Sequence, residues 1–199
     1  IYENYIGIQL SNAYNNSIFK NTIFNTTGNE YGGGNVGIKF NYSYNNTIIQ
    51  NNISFSYAEG IYLSRSKHNI ISKNNISHNG YSGILLFINS NNNSINYNNI
   101  SYSNYRRIQI GHGGGGISSE GGSTEYESGS HNNTINNNIL FSNSIHGIFL
   151  RGSNENLLLN NTAFDTCSNG GNPSDSVGFH LYRSNLNKLV NNTAKNVGN

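Results

Sequence analysis

Apolar and polar positions follow one another in a fixed order along this chain. Segments reading GIKFNYSYNNTIIQNNI, GIYLSRSKHNIISKNNI and GILLFINSNNNSINYNNI begin at Gly37, Gly60 and Gly83, 23 residues apart. Related segments begin at Gly7, Gly147 and Gly178, and a seventh is placed at GISSEGG from Gly116, continuing into HNNTINNNI. In each, an alternating stretch follows a glycine, then two short stretches each open on an asparagine and carry an aliphatic two positions later. None has the length or the 3.6-residue period of a helix. Three short strands per unit at a period near 23 predict a parallel β-helix of about seven coils, stacked about 4.8 Å apart.

Two alignment columns are pure asparagine: Asn16, Asn46, Asn69, Asn93, Asn133, Asn156, Asn187, and Asn21, Asn51, Asn74, Asn98, Asn137, Asn161, Asn192. Asparagine tolerates left-handed dihedrals at a corner, and its amide both donates and accepts, so like amides on successive coils can bond. Two residues on from these columns lie inward aliphatics, Ile18 to Leu189 for the first and Ile23, Ile53, Ile76, Ile100, Ile139, Ala163, Ala194 for the second. Continuing the alternation, Phe55, His78, Tyr102 and Phe141 are expected to stack inside, with His78 a packed core histidine.

Composition alone would suggest disorder, with 10% charged and 34% hydrophobic residues and 23 glycines; the conserved register of the repeat argues for a fold instead. A net charge of +2 with dispersed cations gives no footprint for nucleic acid. A single cysteine, Cys167, excludes an internal disulfide and a multi-cysteine metal site. The six histidines show no short paired spacing and methionine is absent, so no metal or other cofactor is expected. No apolar run has the length of a membrane span. The chain starts and stops in mid-pattern, so residues 1–199 are expected to be one domain of a longer protein, with open solenoid ends available for self-association or flanking domains.

The pattern GIxLxxSxxNxIxxNxI, as in GIYLSRSKHNIISKNNI, resembles the right-handed β-helix repeats of NosD-like proteins and of the carbohydrate-binding and sugar-hydrolase β-helix domains. The resemblance spans essentially the whole chain and implies an all-β, right-handed parallel β-helix. Its matching positions are corner and core residues, so it carries no catalytic residue and no copper function. Asn-rich versions are similar to surface proteins of methanogenic archaea, which implies an extracellular location.

Chemistry must therefore lie between the repeat positions. After each glycine the second and fourth residues face inward and the third and fifth outward. The outward columns read Gln9, Lys39, Tyr62, Leu85, Ser118, Phe149, His180 and Ser11, Asn41, Ser64, Phe87, Glu120, Arg151, Tyr182. Rings beside charged groups suit a polysaccharide or other glycan. Insertions at 26–36, 104–115 and 166–177 precede this strand and 121–130 follows it, so both rims of one face are expected to be raised. Tyr62, Phe87, Arg106, Arg107, His112, Phe149 and Tyr182 are the expected substrate contacts, with the arginines placed to clamp the carboxylate of an acidic sugar. Glu120, His180 and Arg151 are the candidates for catalysis as a lyase, epimerase or glycoside hydrolase. The bland reading has Leu85 and Phe87 covered by a loop without ligand, Gly111 to Gly116 as a hinge and Arg106 with Arg107 as a solvated pair. Eleven Asn-x-Ser/Thr triplets occur, and Asn52, Asn75 and Asn99 among them are expected to face outward.

Two classes of function follow. One is an extracellular module that binds or processes a polysaccharide along the loop-rimmed face; the other is a structural surface-layer or adhesin module that makes protein contacts without catalysis.

Overall fold

The structure is a computed structural model that describes residues 1–26, 35–103, 129–166 and 177–197, together with the backbone of 106–111. Seven coils each contribute three strands. The first coil holds β1 (Ile6–Ser11), β2 (Ser17–Phe19) and β3 (Thr22–Phe24), and the second β4 (Val36–Asn41), β5 (Thr47–Ile49) and β6 (Asn52–Ser54). The third and fourth follow as β7 (Ile61–Ser64), β8 (Ile70–Ser72), β9 (Asn75–Ser77), β10 (Ile84–Phe87), β11 (Ser94–Asn96) and β12 (Asn99–Ser101). The fifth and sixth are β13 (Arg106–Gly111), β14 (Thr134–Asn136), β15 (Ile139–Phe141), β16 (His146–Arg151), β17 (Leu157–Leu159) and β18 (Thr162–Phe164). The seventh closes with β19 (Val177–Tyr182), β20 (Lys188–Val190) and β21 (Thr193–Lys195). Equivalent strands of successive coils pair in parallel, forming three seven-stranded sheets: sheet 1 from β1 to β19, sheet 2 from β2 to β20 and sheet 3 from β3 to β21.

The pairing register puts like on like. Ile38 faces Ile61 and Ile61 faces Ile84 in sheet 1, while Ile48, Ile71 and Ile95 line up in sheet 2 and Ile53, Ile76 and Ile100 in sheet 3. In the second coil Ile38, Phe40, Ile48 and Ile53 are fully buried, and the same four places are filled in the third by Ile61, Leu63, Ile71 and Ile76. Each such side chain contributes about 1.5–3 kcal/mol on burial. A single coil cannot bury them alone, which is why the fold exists only as a stack.

At the first two corners the asparagine ladders form, and they are directional. The backbone N–H of each ladder residue donates to Oδ1 one coil further along: Asn46 to Asn69 at 2.9 Å, Asn69 to Asn93 at 2.9 Å, Asn51 to Asn74 at 2.9 Å and Asn74 to Asn98 at 3.0 Å. Left-handed geometry belongs to the residue before the ladder asparagine. Asn45, His68, Gln50 and Lys73 have φ of 57°, 57°, 56° and 56°. The labour that the sequence assigns to one asparagine is thus divided between two adjacent residues. A third ladder, of serine, runs beside the first: the N–H groups of Ser43, Ser66, Ser90, Ser130 and Ser153 donate to the hydroxyls of Ser66, Ser90, Ser130, Ser153 and Ser184 at 3.0–3.2 Å.

Three expectations need correction. In the fifth coil the ladder residue is Asn138, which bonds Asn98 and Asn161 at 3.0 Å, and the inward residue is the fully buried Leu140. Asn137 takes the left-handed place with φ 53° and Ile139 is 49% exposed. Second, the sheet 1 strand of that coil is β13 rather than the stretch from Gly116. Gln109 and Gly111 hold the register places expected for Ser118 and Glu120, pairing with Phe149 and Arg151. Arg106 and Arg107 therefore belong to a strand and not to an insertion, and the long insertion, 112–128, follows the strand.

Third, the aromatic stack is real but external. Phe24, Phe55, His78, Tyr102, Phe141 and Phe164 run in sequence with centroids 4.8–5.2 Å apart. Phe55, His78 and Tyr102 sit at left-handed corner positions and are exposed, so His78 is no core histidine. A positive φ swings the side chain away from the coil interior, which the period-two alternation does not anticipate.

Candidate functional site

The outward side of sheet 1 is built by a bend before each strand. At Gly37 and Gly60 an added Cβ would fall 2.5–2.7 Å from the next coil's carbonyl oxygen and from an isoleucine methyl. Glycine at that place lets the strand start tight against its neighbour, and the residue before it begins an outward column. Glu59 and His146 occupy this position. The second and third columns are those expected from alternation: Lys39, Tyr62, Leu85, then Gln109, Phe149, His180 in register, and Asn41, Ser64, Phe87, then Gly111, Arg151, Tyr182.

Among the described residues, coils six and seven hold the densest chemistry. His146, Phe149 and His180 form one ring cluster, with Phe149 stacked on His146 at 5.3 Å and edge-on to His180 at 5.0 Å. His180 Nδ1 lies 3.3 Å from His146 Nε2, a distance at which one ring's N–H donates to the other's lone pair. His146 and Phe149 are buried while His180 is half-buried. Beside them the guanidinium carbons of Arg151 and Arg183 stand 5.8 and 5.3 Å from the centroid of Tyr182, which is exposed.

A second group lies on coils two to four. The Lys39 ammonium sits 5.7 Å from the centre of the Tyr62 ring, and Tyr62 meets Phe87 at 5.8 Å. Burial pushes the Glu59 carboxyl up to about 7, with a bond to its own backbone and the Lys39 charge drawing it partly back. Burial likewise raises the Tyr62 phenol to about 12, and the neighbouring Glu59 adds to the rise. Glu59 can therefore hold a proton near neutrality, and Tyr62 remains a donor throughout the ordinary pH range.

Among the expected site residues, His180, Phe149, Arg151 and Tyr182 come together on coils six and seven, and Tyr62 and Phe87 on coils three and four. Phe149 offers no open ring face, being 4% exposed between two imidazoles, and Leu85 is buried as well. Glu120 and His112 lie outside the described residues, as do the side chains of Arg106 and Arg107 and nearly all of the expected rims. Glu59, His146, Arg65 and Arg183 were not singled out by sequence reasoning, and Lys39 was placed in the outward column without a role. For Glu59 and His146 the signal was present, because each directly precedes a strand glycine of the repeat.

All five arginines of the chain lie on sheet 1 or on the residue that follows one of its strands: Arg65 after β7, Arg106 and Arg107 in β13, Arg151 in β16 and Arg183 after β19. Among the described acidic residues Glu59 alone borders this sheet, and it is the one whose charge burial suppresses. Among the described residues no group of three or more His, Cys, Asp or Glu is placed to hold a metal ion.

The family description "right handed beta helix region" matches residues 1–199. The chain belongs to the right-handed β-helix family. Its fold is similar to that of the Dettilon tailspike protein, with a TM-score of 0.70 at 18% identity, covering 91% of this chain and 35% of that one. It is also similar to the C387A mutant of DFA-IIIase from Arthrobacter chlorophenolicus A6 in complex with DFA-III (TM-score 0.69, 15% identity, 94% of this chain and 43% of that one). The periplasmic alginate epimerase AlgG gives a TM-score of 0.62 at 18% identity, covering 98% of this chain and 48% of that one. This chain thus spans about a third to a half of the length of these proteins, and the likeness is one of fold. No curated protein matches it. In a right-handed β-helix the core and ladders are fixed by stacking, so chemical individuality is confined to outward columns such as those of sheet 1.

Proposed function

We propose that this β-helix binds an anionic polysaccharide along the outward side of sheet 1, at or beyond the cell surface. The observation that carries the reading is the confinement of all five arginines to that sheet and its edge, in a chain with only 10% charged residues. Arginine forks match carboxylate and sulfate geometry, and the parallel stack repeats along an axis that an extended glycan can follow. The exposed Tyr182, flanked by Arg151 and Arg183, supplies an apolar ring surface beside two cations. Fold likeness to a tailspike, a DFA-IIIase and a periplasmic alginate epimerase supports a glycan as ligand and a location outside the cytoplasm.

Where the bound chain is also processed, the His146–His180 pair is the proton-transfer group and Arg151 steadies the charge that develops on the sugar. Glu120, His112, Arg106 and Arg107 are retained as contributors from the fifth coil. The test is binding of uncharged, carboxylated and sulfated polysaccharides at low and high salt. Binding of the charged polymers that weakens with salt, and is lost in the double variant Arg151→Ala with Arg183→Ala, is expected. Equal binding of uncharged polymers, or none of either kind, removes the proposal.

A further inference from the structure

The three corners of the coil differ in how they satisfy buried polar groups. At the first two, every buried ladder asparagine has its amide bonded. The third corner, where sheet 3 turns into sheet 1, also carries a buried polar column, formed by Thr26, Ser56, Asn79, Ser103, Asn143 and Thr166, each at most 2% exposed. Its ladder begins regularly, with the Ser56 N–H donating to Asn79 Oδ1 at 3.0 Å, and then stops. Ser56 Oγ, Asn79 Nδ2, Ser103 Oγ, both amide atoms of Asn143, Ser144 Oγ and Thr166 Oγ1 are buried without a hydrogen-bond partner.

An orphaned polar atom in a protein interior costs about 1–3 kcal/mol. Such groups in native proteins are ordinarily met by buried water, which needs two to four polar partners and room of its own. The polar partners are present between coils four and six. Ser103, Asn143, Ser144 and Thr166 supply hydroxyl and amide groups of both polarities on three successive coils. Beside them the inward residue of sheet 3, Ile76, Ile100 and Leu140 in coils three to five, becomes the smaller Ala163 in the sixth. The two columns are neighbours: a Cβ on Gly60 would lie 2.6 Å from Ile76 Cγ2 and 2.9 Å from Asn79 Nδ2, and one on Gly147 would lie 2.6 Å from Ala163 Cβ.

We propose that Ser103, Asn143, Ser144 and Thr166 hold a short file of ordered internal water at the third corner, running along the axis where the other corners run direct ladders. The ligand is water rather than an alkali cation, because Asn143 Nδ2 is a donor that only an acceptor can satisfy, and water both accepts from it and donates to the neighbouring oxygens. The file is independent of any glycan on sheet 1, although Asn143 and Ser144 lead into β16 and so steady the backbone that carries His146.

Two variants and a high-resolution crystal structure test this. Solvent peaks within hydrogen-bonding distance of Asn143 and at least one of Ser103, Ser144 and Thr166 are expected, and filling the space with Ala163→Ile should abolish them and lower the thermal midpoint by a few degrees. Asn143→Leu, close in size to asparagine, should also lower it, because it removes a partner from each water. A dry column, direct side-chain bonds closing the ladder, or a peak with cation coordination that responds to sodium or potassium would overturn the proposal. A raised midpoint in Asn143→Leu would do so too, being the result expected when two unsatisfied atoms are simply removed. Should either variant fail to fold, the wild-type density decides.

Discussion

His180 Nδ1 lies 3.3 Å from His146 Nε2 although the two residues are not register partners; His146 pairs with Val177 and His180 with Phe149. The contact is diagonal, and Phe149 packs against both rings to hold it. One ring's N–H donates to the other's lone pair, and His180 keeps a half-buried edge.

Replacing His180 with alanine should therefore reduce glycan turnover, or affinity where no turnover occurs, by about tenfold or more, with a thermal midpoint within a few degrees of wild type. His146→Ala should cost more stability, since His146 is 5% exposed and loses packing against Phe149. Paired calorimetry and activity measurements on the two variants check the contrast.

Arg151→Ala and Arg183→Ala should each weaken an anionic polysaccharide by about tenfold, the scale of one charged hydrogen bond. The loss should shrink as salt rises, because exposed charges are screened within about 8 Å at physiological ionic strength. Lys188→Ala, on sheet 2, should leave binding unchanged in the same titration.

Stability should fall as pH rises between about 4.5 and 7. Glu59 has its folded pKa raised from 4.5 to about 7, so in that window the folded state binds more protons than the unfolded chain. Its contribution is fully present below 4.5 and lost on passing 7, with a total on the order of 3 kcal/mol. Glu59→Gln should flatten the profile and raise the thermal midpoint at pH 8, as melting curves at several pH values will register.

Register in the fifth coil separates two adjacent asparagines. Asn138→Ala removes the acceptor for the Asn98 N–H and the donor to Ile95 O, at 3.0 and 2.8 Å, and should cost about 2–4 kcal/mol. Asn137→Gly, at φ 53°, should change stability by less than about 1 kcal/mol. Denaturant unfolding of the two variants would expose an error if the larger loss fell on Asn137.

Much of the fold was legible because the repeat writes each structural role several times. Ile48, Ile71 and Ile95 report one another's orientation, and a single coil misread at Asn137 is corrected by its neighbours. The fifth coil failed where repetition failed: RRIQIG lacks the strand glycine, and GISSEGG offers a better local match without being the strand. His78 failed for another reason, since its orientation depends on a corner dihedral and not on the alternation of a strand. The candidate site was half legible. Tyr62, Arg151 and His180 follow from counting, whereas Glu59 and His146 matter only because the bend before each glycine turns them to the same side.

By itself the sequence determined the parallel β-helix, its seven coils, four inward positions per coil and asparagine corners, because these depend on period and residue type alone. Tertiary structure decided which asparagine bonds and which bends, that Phe149 is enclosed while Tyr182 is open, and that two histidines 34 residues apart share a hydrogen bond. Those outcomes depend on distances between coils, and stacking brings together side chains that no local spacing relates.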